Sequence, residues 1–281
     1  NLIKNFREHG TIAWSFSGGE CLLRKDIIEL SKYTKELGLD LLIITNGTLL
    51  PKKKEILKYA DVINISVDGN KRTHEKLRGK GSYDLALRGL EVLKNNSRRK
   101  LKKVINTILN NETIELNTLE HMLDLAKDYS CQVGFNPIII HRPDLRNVVD
   151  TKYFPTLQQF NIFHDWLRKK LKTDDKKYFV DKIKFFNSIG DYPNSPTRLK
   201  CYAGKFQLAI DPFGKVLPCS DFFDYETKYK KSGFNWKYGY KGFENLEMPK
   251  CPYGFCCTAK KNFFFDHPLE LFREYVLKKG L

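Results

Sequence analysis

Short apolar runs alternate with amphipathic stretches through the first half of this chain, which is the pattern of repeating β-α units. Thr11–Phe16 reads as a strand. Leu22–Leu37 reads as a helix with Leu23, Ile27, Leu30 and Leu37 on one side, closed by Gly38. Leu41–Thr45 and Val62–Val67 are buried-strand runs, with a short helix over Lys52–Ala60 between them. Ser82 is expected to cap a helix reaching about Asn95. Val104–Ile108 is the next strand, a helix starts at Asn117 or Thr118, and Gln132–Ile140 is a further strand. Asn1–His9 reads as the end of a helix. Alternation of this kind predicts right-handed crossovers and a parallel sheet or barrel.

The pattern changes beyond position 140. Asp144–Tyr153 reads as a loop, and Leu157–Leu171 as an amphipathic helix carrying Phe160, Phe163 and Leu167. Charged, turn-rich sequence follows as far as Cys201. Phe206–Ile210 and Lys215–Leu217 are strand-like and flank the turn sequence Asp211-Pro212-Phe213-Gly214, so a hairpin is expected there. Pro268–Lys279 reads as a closing helix, with Gly280 after its end.

Composition adds constraints. The chain has 281 residues, 41% of them hydrophobic, enough for one large domain or slightly more. No apolar run approaches the roughly 18 residues that span a membrane. No secretory segment is visible, so a cytoplasmic location is expected. The net charge is +16, but the lysines are scattered over helix faces and loops with no dense basic stripe. That distribution argues against a nucleic-acid partner.

Candidate chemistry lies at the strand ends, where parallel α/β folds place their active residues. The first strand runs into Ser17-Gly18-Gly19-Glu20, the second into Thr45-Asn46-Gly47 and the third into Ser66-Val67-Asp68-Gly69; the fourth carries Asn106 and Thr107. Paired glycines let a ligand approach the backbone, and an adjacent glutamate can bind an amine. Five of the seven cysteines lie in the last third: Cys201, Cys219, Cys251, Cys256 and Cys257. By spacing alone they fit an iron–sulfur cluster, a four-cysteine zinc site or disulfides. Cys21 and Cys131 read as core residues, and His141, His164 and His267 as surface or packing residues.

The strand-end motifs, in order, resemble the core of a radical S-adenosylmethionine (SAM) enzyme. Thr73-His-Glu-Lys-Leu-Arg78-Gly79 followed by Gly81-Ser82-Tyr83-Asp84 resembles the subgroup with SPASM or twitch extensions, and Cys201-x12-Gly214-x4-Cys219 is similar to the opening of those extensions. The resemblance covers about residues 11–140 and 201–257. It implies an α/β fold: a partial (β/α)6 TIM-like barrel, here without its first strand, plus a small cysteine-rich α+β extension. The corresponding domains are a barrel core over 1–145, a helical connection over 146–200 that completes the barrel, and an auxiliary-cluster domain over 201–281. The implied activity is reductive cleavage of SAM to a 5′-deoxyadenosyl radical, which abstracts hydrogen from a peptide or small-molecule substrate. A reductant such as flavodoxin or ferredoxin is the implied partner.

The resemblance further implies that Gly18, Gly19 and Glu20 hold the methionine amine of SAM. Ser66 contacts its ribose or carboxylate, Asn106 adds to the site, and Asp68 serves the strand-end turn. Cys201, Cys219, Cys251 and Cys257, with Cys256 as the alternative fourth ligand, hold one auxiliary [4Fe-4S] cluster. The family's Cys-x3-Cys-x2-Cys loop, which carries a second [4Fe-4S] cluster, does not occur in this sequence. It is expected upstream, so the chain reads as a fragment that is inactive alone. The family's usual Pro after Gly-Gly-Glu is Cys21. The alternative reading is a metal-stapled SAM-binding module with a four-cysteine zinc site and no radical catalysis.

Overall fold

The computed structural model describes residues 2–98, 100–138, 151–180, 182–189, 200, 202–204, 206–214, 216–217 and 267. The chain divides into two compact units. One comprises Arg7–Ile138 with Lys152–Ile183, and the other Asn1–Phe6, Ile139–Thr151 and Lys184–Leu281.

The first unit is built on a parallel sheet of five strands: β1 (Ala13–Phe16), β2 (Asp40–Thr45), β3 (Val62–Ser66), β4 (Lys102–Leu109) and β5 (Gln132–Pro137). Their spatial order is their chain order, and every pairing is parallel. A doubly wound sheet would reverse direction at a switch point; a sheet that winds one way throughout is an unclosed β/α barrel. Phe179 adds a further parallel bridge to Val133, extending the winding past β5.

The two sheet faces differ in a regular way. Leu41, Ile43, Thr45, Ile63, Ile65, Ile105, Thr107, Val133 and Phe135 are buried under the helices. The alternate residues Asn64, Ser66, Asn106 and Asn136 occupy the opposite, inner face and are half-buried. The inner face is mixed, with Leu42, Ile44, Val62 and the buried Val104 beside those polar residues.

The helices are α1 (Leu2–Glu8), α2 (Ile27–Glu36), α3 (Lys71–Arg78), α4 (Ser82–Lys94), α5 (Leu116–Asp128), α6 (Leu157–Lys170) and α7 (Ile183–Ser188). Helix α6 begins with a capping box between Thr156 and Gln159. Phe163 and Trp166 from this helix meet the Phe135 ring edge-on, with centroids 5.3 and 5.8 Å away. Among the described residues, no helix is long and apolar enough to cross a membrane.

Several expected elements are corrected. The single helix expected over Leu22–Leu37 is a 3-10 turn (Cys21–Leu23) followed by α2, because Arg24 is extended. Leu23 is 71% exposed rather than part of the apolar face. The buried face of α2 is Ile27, Ser31 and Thr34, the last two bonding back to carbonyls four residues earlier. The helix expected over Lys52–Ala60 is a 3-10 segment, Lys54–Lys58. Gly81, in the left-handed region, caps α4; Ser82 lies within its first turn and donates to Gly79 O at 2.6 Å. Helix α5 begins at Leu116, and Thr118 is buried in it.

In the second unit the expected hairpin is present as β6 (Ala209–Ile210) antiparallel to β7 (Val216–Leu217). Gly214 N donates to Asp211 O at 3.0 Å, and the positive φ of 87° at Gly214 explains the glycine. The segments 141–150 and 268–279 and the cysteines Cys201, Cys219, Cys251, Cys256 and Cys257 lie outside the described residues.

Candidate SAM site

The turn after β1 exposes Gly18 and Gly19, and a Cβ placed on either meets nothing within 4 Å. Open space beside bare backbone is what a ligand needs in order to approach. Glu20 follows, and its carboxylate is held by three donors. Leu22 N and Thr45 Oγ1 reach Oε1 at 2.9 and 2.8 Å, and Asn46 N reaches Oε2 at 2.7 Å. The acid therefore clamps the β1 turn to the end of β2. A carboxylate accepts about four hydrogen bonds, so a place remains on Oε2 for an ammonium donor.

The β2 turn is fixed from below. Gly47 has φ of 83°, and its carbonyl oxygen lies 2.7 Å from where a Cβ on Gly89 of α4 would stand. Two glycines thus let the helix backbone press against the turn. Asn46 Oδ1 accepts from Thr48 N at 2.9 Å, completing the local turn.

Ser66 ends β3 and stands opposite Asn106 of β4 in the ladder. Asn106 is not at a strand end, as expected, because β4 runs on to Leu109; its side chain instead joins the inner face. Asn136, two positions along on β5, donates from Nδ2 to Asn106 Oδ1. Thr107 points the other way and donates to Val67 O at 2.8 Å, a structural role.

Asp68 is 4% exposed and serves the fold, as expected. Its Oδ2 accepts from Arg78 Nε at 2.6 Å and its Oδ1 from Ile108 N at 2.8 Å, joining the β3 turn, α3 and β4. Asp68 N donates to His74 Nδ1 at 3.0 Å, so the neutral ring carries its proton on Nε2. Burial holds the His74 pKa below its ordinary value.

Cys21 is buried, and its thiol donates to Ile44 O at 3.2 Å. Burial, reinforced by the charge of Glu20, pushes its pKa up to about 12; burial does the same for Cys131. Both are thiols held protonated, as their reading as core residues required. Among the described residues, no group of three or more His, Cys, Asp or Glu could hold a metal ion.

Sequence reasoning picked out the motifs that hold Thr45, His74 and Arg78 but gave these side chains no role at this end of the barrel, and it passed over Asn136. Helix α3, which carries two of them, buries only His74 and so shows no apolar periodicity. Its usable local signal was Asn70, whose side chain caps Thr73 N at 3.1 Å.

The sequence model described as Radical SAM superfamily matches residues 1–126. The chain is 30% identical over 234 residues to a probable GTP 3′,8-cyclase of Methanopyrus kandleri, covering 79% of this chain and 73% of that protein. It is 29% identical over 211 residues to the mycofactocin maturase MftC of Mycolicibacterium smegmatis, covering 73% of this chain and 51% of that one. A crystal structure of Streptococcus suis SuiB bound to S-adenosylmethionine superposes with a TM-score of 0.57 over 79% of this chain and 52% of SuiB, at 18% identity. That likeness concerns the fold. The chain belongs to the radical SAM superfamily. It spans only 23 to 51% of the length of several curated relatives.

Proposed function

We propose that this protein binds SAM at the strand ends of the barrel and uses it for radical chemistry on a peptide or small-molecule substrate. The observation that carries the reading is the Glu20 carboxylate, held on three sides by protein donors beside the open backbone of Gly18 and Gly19. The residues present fit SAM. Gly18 and Gly19 admit the methionine end, and Glu20 accepts from its ammonium. Ser66 hydrogen-bonds its ribose or carboxylate, and Asn106, oriented by Asn136, contributes from the inner face. When bound and reduced, SAM supplies a 5′-deoxyadenosyl radical for hydrogen abstraction. The protein's own part is to bind, orient and shield the cofactor.

The ligands of the SAM-cleaving [4Fe-4S] cluster would come from a Cys-x3-Cys-x2-Cys segment outside these residues, reduced by a flavodoxin- or ferredoxin-like partner. In the second unit, we place one auxiliary [4Fe-4S] cluster on Cys201, Cys219, Cys251 and Cys257, with Cys256 the alternative fourth ligand. The support is the β6–β7 hairpin, which lies between Cys201 and Cys219 in the sequence.

The test is calorimetric titration of SAM into the whole, anaerobically reconstituted protein and its Glu20→Gln variant. A charge-assisted hydrogen bond is worth about 1.5–3 kcal/mol, so Glu20→Gln should weaken binding roughly 10- to 100-fold. Unchanged affinity would remove Glu20 from the site. Formation of 5′-deoxyadenosine under strong reductant tests the chemistry separately.

A further inference from the structure

We propose that Thr45 is a positioning residue for the SAM ammonium site, acting through the Glu20 carboxylate. The inference rests on the SAM-binding reading above. Thr45 is the last residue of β2 and is 2% exposed. Its hydroxyl oxygen accepts from Gly47 N at 3.0 Å. Its single O–H proton goes to Glu20 Oε1 at 2.8 Å. The hydroxyl is thus fixed at both ends, one a backbone N–H in a turn that α4 holds in place.

The other donors make the role of Thr45 specific. Leu22 N belongs to the same short turn as Glu20, so that bond moves with the glutamate. Only Thr45 Oγ1 and Asn46 N tie the carboxylate to the neighbouring strand, one on each oxygen. Two bonds from the neighbouring strand, one to each oxygen, fix the plane of the carboxylate relative to β2; without Thr45, only Asn46 N joins it to that strand, and Leu22 N holds Oε1 to the glutamate's own turn alone. Fixing the plane fixes where the remaining acceptor position on Oε2 points. Binding a primary ammonium with a preoriented carboxylate avoids the cost of ordering that side chain on association.

A side chain that merely fastened β1 to β2 would lower stability and leave ligand affinity alone. The test therefore compares Thr45→Val, which keeps the shape, with Thr45→Ser, which keeps the hydroxyl, each in the wild-type and Glu20→Gln backgrounds. SAM affinity is read by calorimetry on the whole reconstituted protein, and thermal midpoint by calorimetric scan. Thr45→Val should bind SAM about tenfold more weakly, and Thr45→Ser should restore affinity to within about twofold. In the Glu20→Gln background, Thr45→Val should add little further loss, because the group it orients has lost its charge. Should Glu20→Gln bind SAM normally, the SAM-site reading fails. A Glu20→Gln defect together with normal binding by Thr45→Val overturns the positioning role alone, as does a fully additive double variant. If Thr45→Val does not fold, failure of Thr45→Ser to match wild-type affinity decides against the proposal.

Discussion

Two acids organise the rim of this barrel, and they differ in what they leave over. Asp68 accepts one hydrogen bond on each oxygen, from Arg78 and from Ile108 N, and is buried at 4% exposure, so its oxygens face the fold and not a ligand. Removing a buried acceptor strands its donors. Asp68→Ala should therefore cost roughly 2–3 kcal/mol, below the full buried-pair penalty because Arg78 is partly solvated. A chemical denaturation midpoint measures it. Glu20 is half-buried and keeps an acceptor position on Oε2, which is why it is the residue proposed to meet the SAM ammonium. The thiols offer a complementary check. Cys21 and Cys131, each with a pKa pushed up to about 12, should stay unmodified when native protein is treated with iodoacetamide near pH 8. Rapid labelling of either by mass spectrometry would contradict their burial.

The same logic at the level of elements concerns how helices approach strand ends. Helix α4 meets the β2 turn through Gly89 and Gly47 with no side chain between them. Gly89→Ala would drive a methyl group into backbone atoms 2.7 to 3.1 Å away. Overpacking of this kind costs on the order of 1–3 kcal/mol, more than the roughly 1 kcal/mol of helix propensity gained. Net destabilisation is expected, with a lowered urea midpoint and an unchanged slope. Elements were legible where burial was continuous. Leu41–Thr45 reads as a strand because apolar and β-branched residues run without a break, and Val62–Val67 because β-branched residues alternate with Asn64 and Ser66. Helix α3 was not legible, since five of its eight residues are charged and only His74 is buried. The break between the Cys21–Leu23 turn and α2 was hidden because Leu22, Leu23 and Ile27 mimic a helical repeat, while the interruption is the extended backbone of Arg24 at the end of the turn.

At the scale of the whole molecule, stability should depend on pH through His74 and through His121 of α5, whose Nε2 lies 2.9 Å from the Tyr83 hydroxyl. Burial lowers both pKa values in the folded state, while the unfolded value is about 6.5. The unfolded chain then binds more protons than the folded one below that value. Stability should be full above about pH 6.5 and fall as pH drops towards the folded pKa values. His74→Gln should flatten this slope in denaturant titrations between pH 7 and 5. The proposed auxiliary cluster makes a second whole-molecule prediction. Anaerobically reconstituted protein should lose about four iron and four sulfide on Cys201→Ala or Cys219→Ala, and only one of Cys256→Ala and Cys257→Ala should do the same. Cys21→Ala should leave that iron in place. Stoichiometric zinc without iron would overturn the cluster and favour a four-cysteine zinc site.

The sequence by itself determined the class of fold and the positions along the chain where chemistry concentrates. Strand and helix periods, turn glycines and strand-end polar residues are local properties, readable within a dozen residues. Tertiary structure decided which of those residues meet. Thr45 reaches Glu20 across 25 positions, Asp68 reaches Ile108 across 40 and Asn136 reaches Asn106 across 30. Such pairings follow from the register of parallel strands joined by whole helices, which no local pattern encodes. For the same reason, the strand-end motif shows that a carboxylate stands at this rim, but only the folded sheet shows which donors hold it and which of its oxygens remains open.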